Sequence, residues 1–182
     1  MHTRQELIQA LTIYKSDFVE ELEFAKRFLS LLQHANAFQR THLPGHITGS
    51  AWICNEDFTK VLLVHHAKLN RWLQPGGHAD GDENVIRVAL KETEEETGIQ
   101  QYKIIDDNIF DLDIHRIPER KDMPAHDHYD IRILLQASEN QKIIVSEESH
   151  DVQWIKLSEI NQYTTEKSVL RMVEKTANIQ NL

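Results

Sequence analysis

The stretch "LQPGGHADGDENVIRVALKETEEETGI", residues 73–99, constrains this chain more than any other. It reads as a glycine-bearing loop, a capped helix and a stop. Gly76, Gly77 and Gly81 permit backbone conformations closed to other residues and let main-chain carbonyls approach a ligand. Asp82 or Asn84 can cap the helix, Glu83 sits where the helix dipole favours an acid, and Gly98 suits the C′ position. On a helical wheel Val85, Ile86, Ala89, Leu90, Thr93 and Thr97 make one buried stripe, with Arg87, Lys91 and Glu94 opposite. Glu92, Glu95 and Glu96 gather at the edge of that stripe. Like charges at such spacings repel by roughly 0.2–0.5 kcal/mol per pair, so the patch is placed to share cations.

Around this helix the texture is β-rich, with runs at 46–55, 60–66, 102–117, 128–138 and 151–157 and a terminal helix at 165–177. Residues 3–34 read as two amphipathic helices, broken and capped at Ser16 and Asp17. This order predicts an α/β (α+β) fold, an α/β/α sandwich around a mixed β-sheet. The helical residues 1–40 are expected to form an extension packed on a main domain of 41–182, and "PERKDMPAHD", 118–127, a flexible loop.

A net charge of −9 argues against nonspecific nucleic-acid binding, which needs clustered Lys and Arg, but it suits a polyphosphate held through divalent cations. The longest aliphatic run, Val61 to Val64, is too short for a bilayer, and "MHTRQELIQA" lacks the apolar core of a secretory signal. A soluble, cytoplasmic protein with no membrane partner is therefore expected. The lone Cys54, in "SAWICN", fits a small buried hydrophobe in a reducing compartment. Amphipathic amino-terminal helices make a homodimer an expectation as well.

The central stretch resembles the Nudix box, G-x5-E-x7-R-E-U-x-E-E-x-G-U, where U is a bulky aliphatic residue. Gly77, Glu83, Glu92, Glu95, Glu96, Gly98 and Ile99 match without a gap. Lys91 stands where the family has arginine and Thr93 where it has an aliphatic residue. Lysine keeps the charge but loses the planar fork that holds a carboxylate bidentately. The resemblance implies hydrolysis of a nucleoside diphosphate linked to another moiety, with Mg²⁺ or Mn²⁺ as cofactor. It implies Glu92, Glu96 and the carbonyl of Gly76 as metal ligands. Glu95 becomes a further ligand or orienting base, and Glu83 a partner of Lys91 or Arg87. Glu147 and Glu148 are the candidates for a general base outside the box.

Eleven histidines are many for this length. On a strand His126, His128, Asp130 and Arg132 would share one face. Of that stretch His126, His128, Tyr129 or Asp130 are read as substrate-lining. Zinc is set aside for it, since such sites need three or four ligands and no cysteine joins. His78 is expected to contact phosphate or to pack against Trp72, and Arg71 to pair with phosphate through its fork. Trp52, Trp72 and Trp154 read as core. "DGDEN" lacks the twelfth-position glutamate of an EF-hand. The competing class is a catalytically silent Nudix fold acting as a nucleotide sensor or interaction module. The substrate's identity stays open among nucleotide derivatives.

Overall fold

Two helices open the chain in this computed structural model, which describes residues 1–120 and 123–180. α1 (Arg4–Thr12) begins where the Thr3 hydroxyl accepts the Glu6 N–H, and α2 (Val19–Leu31) follows a turn in which Ser16 Oγ accepts the Phe18 N–H at 3.0 Å. Ser16 thus makes the break, while Phe18 takes the cap position of α2 without a side-chain bond. Glu21 of α2 is fully buried. It accepts hydrogen bonds from the Tyr14 hydroxyl (2.8 Å), the Ser16 hydroxyl and the Leu112 N–H (2.9 Å), as a carboxylate out of water requires.

The strands are β1 (Gly45–Cys54), β2 (Lys60–His66), β3 (Arg71–Leu73), β4 (Gly76–His78), β5 (Tyr102–Ile104), β6 (Asp111–Ile117), β7 (His126–Ala137) and β8 (Ser149–Lys156). α3 (Val85–Thr97) lies between β4 and β5, and a 3₁₀ segment (Leu157–Gln162) leads into α4 (Lys167–Gln180). Hydrogen bonding orders the sheet β3-β2-β1-β7-β5, with β4 beside β1, β6 beside β7 and β8 beside β2. The fold is α+β, as the alternation of patterns predicts.

Three differences from the sequence reading have local causes. The run 102–117 is two strands, because Asp106 accepts the Asn108 N–H at 3.0 Å in a side-chain turn between them. Gly76 and Gly77 lie extended in β4, and the left-handed backbone falls instead at Asp80 and Gly81, with φ of 49° and 91°. The expected loop 118–127 is cut short by β7, which begins at His126, and Arg120 bridges Met123; Lys121 and Asp122 lie outside the described residues. No helix among the described residues is long and apolar enough to cross a membrane.

The chain falls into two compact units. One comprises residues 1–50, 77–89 and 106–133, the other 51–76, 90–105 and 134 onward. Leu7, Phe28, Phe38, Ile47, Leu112 and Ile131 are buried in the first. The second buries Trp52, Ile53, Leu62, Leu63, Ile99 and Met172, and the Trp52 indole donates to Thr176 at 2.9 Å. Cys54 is wholly buried there, its thiol pushed up to about 12 by desolvation, which fits the small-hydrophobe reading.

Candidate active site

α3 starts and stops as its sequence dictates. Asn84 Oδ1 accepts the Arg87 N–H at 2.9 Å, making Asn84 the cap. Asp82 takes the Asn84 N–H and both ends of the Arg87 fork, at 2.6 Å each. Gly98, at φ 75°, returns its N–H to the Glu94 carbonyl at 2.9 Å, and a Cβ there would sit 2.8 Å from Ile144. Val85, Ile86, Ala89, Thr93 and Thr97 are buried, and the Thr97 hydroxyl bonds the Thr93 carbonyl at 2.5 Å. The polar substitution at Thr93 therefore sits fully buried inside the core stripe.

With that stripe fixed, the three acids expected together at its edge separate by burial. Glu92 and Glu96 are half-buried, while Glu94 and Glu95 are exposed. Gly76 meets Glu96 through its N–H, which donates to Oε2 at 3.1 Å. Burial pushes the Glu96 carboxyl up to about 8. The Gly76 bond pulls against that shift, while the charges of Glu92, Glu148 and Glu95 add to it. Four acids thus face one another electrostatically, and of the two candidates beyond the box, Glu148 is one whose charge reaches Glu96. Its backbone is held by Ala67, whose N–H donates to the Glu148 carbonyl at 2.9 Å. Lys91 lies 3.5 Å from Glu95, so the lysine in place of arginine holds the acid one turn further on.

The expected partners of Glu83 are corrected. Arg87 is committed to Asp82 and Lys91 to Glu95, and Glu83 is paired with Arg4 of α1, whose Nε reaches Oε1 at 2.9 Å. Arg4 also donates to the carbonyls of His34 and Ala35, at 2.9 and 2.7 Å. Nothing in the spacing of residues 4 and 83 could have announced this pair. Arg71, expected to meet phosphate, forms an exposed ion pair with Glu166 at 2.8 Å. Trp72 stacks on His65 at 4.9 Å and meets Tyr163 edge-on at 5.5 Å, so its partner is His65 rather than the expected His78.

The β7 row does share one face. His126 and His128 approach at 3.3 Å between Nε2 atoms, and Arg132 Nε donates to Asp130 at 2.8 Å. Asp130, expected at the substrate, is 2% exposed; Thr48 and Ser50 also donate to it, at 3.0 and 2.6 Å. Arg132 reaches Asp111 and Asp113 as well, at 3.0 and 3.3 Å. Tyr129 points the other way, edge-on to Phe28 at 5.2 Å under the Arg27 guanidinium. His78 joins His46 and His128, with ring centroids 5.2 and 4.9 Å away. His46 was missed by sequence reasoning, because its neighbours are some 30 to 80 positions away along the chain.

Comparison with known proteins follows the same lines. Over 98 residues the chain is 31% identical to a probable DHNTP pyrophosphohydrolase of Lactococcus lactis subsp. cremoris, covering 52% of this chain and 56% of that protein. Over 118 residues it is 32% identical to the mRNA-decapping enzyme subunit 2 of Saccharomyces cerevisiae, covering 64% of this chain and 11% of that one. The chain therefore spans little more than half of the first relative and a small part of the second. Its fold is similar to that of a C. elegans Ap4A hydrolase in a binary complex, with a TM-score of 0.60 at 18% identity over 74% of this chain and 97% of that one. The model of the NUDIX domain matches residues 45–175, the span that holds the capped helix and its glutamates, and the chain belongs to that family.

Proposed function

We propose that this protein hydrolyses a pyrophosphate bond in a nucleoside diphosphate linked to another moiety, in a reaction dependent on Mg²⁺ or Mn²⁺. The observation that carries this reading is the state of Glu96: a half-buried carboxyl, hydrogen-bonded by Gly76 and repelled by Glu92, Glu95 and Glu148. Hard oxygen donors crowded in this way fit a divalent ion of the magnesium class, which bridges carboxylates to phosphates. Glu92 and Glu96 would hold it with the Gly76 carbonyl. When bound, the ion supplies charge neutralisation at the diphosphate and a more acidic water.

The chain's own residues do the positioning. The Gly76 N–H fixes the Oε2 atom of Glu96, and Lys91 steadies Glu95 as a further ligand or orienting base. Glu148, whose charge acts on Glu96, would be the acid outside the box that takes a proton from the attacking water. Glu83, tied to Arg4, acts on the helix start, and residues 1–40 serve as an addition before a hydrolase domain of 41–182. Arg71 would exchange Glu166 for a substrate phosphate. The names of the relatives, a pyrophosphohydrolase and an Ap4A hydrolase, support the anhydride class of substrate.

The test is phosphate release across a nucleotide panel with and without Mg²⁺ or Mn²⁺. Glu96→Gln is expected to lower turnover by about 10²–10³-fold while leaving the fold intact. Near-normal turnover in that variant would overturn the ligand assignment. Silence of the wild-type protein across the panel, with thermal stabilisation by a nucleotide instead, would overturn the hydrolase reading in favour of a sensor.

A further inference from the structure

The histidines of β1, β4 and β7 have no task in the chemistry above. His46, His78 and His128 each offer a ring nitrogen, and the three atoms lie within 4.8 Å of one another. The backbone arranges this meeting. A Cβ at Gly45 would fall 2.7 Å from the Asp127 carbonyl oxygen and 2.8 Å from the Tyr129 ring, so glycine alone lets the start of β1 lie against residues 127–129. The Asp127 N–H donates to the Pro44 carbonyl at 2.8 Å, and the Ala79 N–H reaches that of Ile47 at 3.4 Å, drawing the end of β4 alongside. His46 is consequently surrounded by the rings of His78, His126 and His128, at 5.2, 5.0 and 5.0 Å.

Two observations distinguish this cluster from ordinary packing. His46 is fully buried; its Nδ1 faces the His42 carbonyl at 3.3 Å, and its Nε2 has no hydrogen-bond partner among the described residues. Buried polar atoms are ordinarily satisfied, so an orphaned imidazole nitrogen within a ring of imidazoles points to a ligand. A metal-bound histidine, moreover, ordinarily gives its other N–H to a carbonyl, which is the relation of His46 to His42. His126 shows the same relation, its Nδ1 lying 2.8 Å from the Pro124 carbonyl. Its Nε2 then meets His128 Nε2 at 3.3 Å, and two facing ring nitrogens need a proton or a cation between them.

We propose that His46, His78 and His128 form a binding site for a transition-metal ion of the zinc type, with His126 supporting His128. Three imidazoles fill all but one position of a tetrahedral ion. Nitrogen donors suit zinc and its neighbours and not magnesium, so this centre and the carboxylates select different ions. The β7 row alone holds too few ligands, and the missing ones come from β1 and β4.

The full chain, stripped with chelator and returned to excess Mg²⁺, is titrated with Co²⁺ and Zn²⁺. One equivalent of Co²⁺ is expected to produce the visible absorption of a low-coordinate, nitrogen-ligated ion, which Zn²⁺ then abolishes. His78→Gln, at a half-buried position, is expected to lose the bands and to weaken Zn²⁺ binding more than about tenfold. His46→Gln is read the same way if its thermal melt shows it folded. Glu92→Gln and Glu96→Gln are expected to keep both signals. Retention of the bands in folded His78→Gln, their loss in Glu96→Gln, or only weak binding beyond one equivalent in the wild type would each overturn the site.

Discussion

Glu96 is an acid held where acids do not ionise readily, and that has a consequence for stability without metal. Its carboxyl is pushed up to about 8 from an ordinary 4.5, so between those values the native protein keeps a proton that the unfolded chain has released. The unfolded state binds fewer protons there, and stability falls as pH rises through the window, the loss being complete above about 8. In chelator, the melting temperature of the wild type relative to Glu96→Gln is expected to fall between about pH 5 and pH 8. Adding Mg²⁺ near pH 8 should recover it in the wild type alone, with release of a proton. A flat difference across the window would show that Glu96 titrates normally. The glutamates and their spacing were legible in the sequence because a helix imposes its own periodicity. The Glu83–Arg4 pair was not, because it joins residues 79 apart through tertiary packing.

At the scale of elements, β6, β7 and β1 share a buried charge network beside their apolar core. Arg132, buried, bonds Asp130, Asp111 and Asp113, and Asp130 takes hydroxyls from Thr48 and Ser50. These charges hold the guanidinium far above any accessible pH. Arg132→Met would leave three buried or nearly buried aspartates without their cation and is expected to cost about 3–5 kcal/mol in urea unfolding. A loss below about 1 kcal/mol would mean that the aspartates find other partners or neutralise. Alternation on β7 was readable from its spacing, yet the row splits in role, with histidines at one end and a structural ion network at the other. Period-2 patterning gives the face of a residue and not what stands opposite, and the opposite strands decide the rest.

The whole molecule carries a net charge of −9, so the polyphosphate substrate proposed above would approach a like-charged protein. At saturating Mg²⁺, raising monovalent salt from about 25 to about 150 mM should therefore raise kcat/KM severalfold by screening that repulsion. A fall instead would indicate a local basic patch that outweighs the net charge. By itself the sequence determined the bounds of the acidic helix, the family and the α+β order, since caps, glycine stops and hydrophobic periodicity act over a few residues. Only the tertiary structure decided that Glu96 is the acid pushed up by desolvation, that Arg132 binds three aspartates and that His46 meets His78 and His128. Those outcomes depend on burial and on which strands lie side by side, and both arise from packing between segments that are remote in the chain.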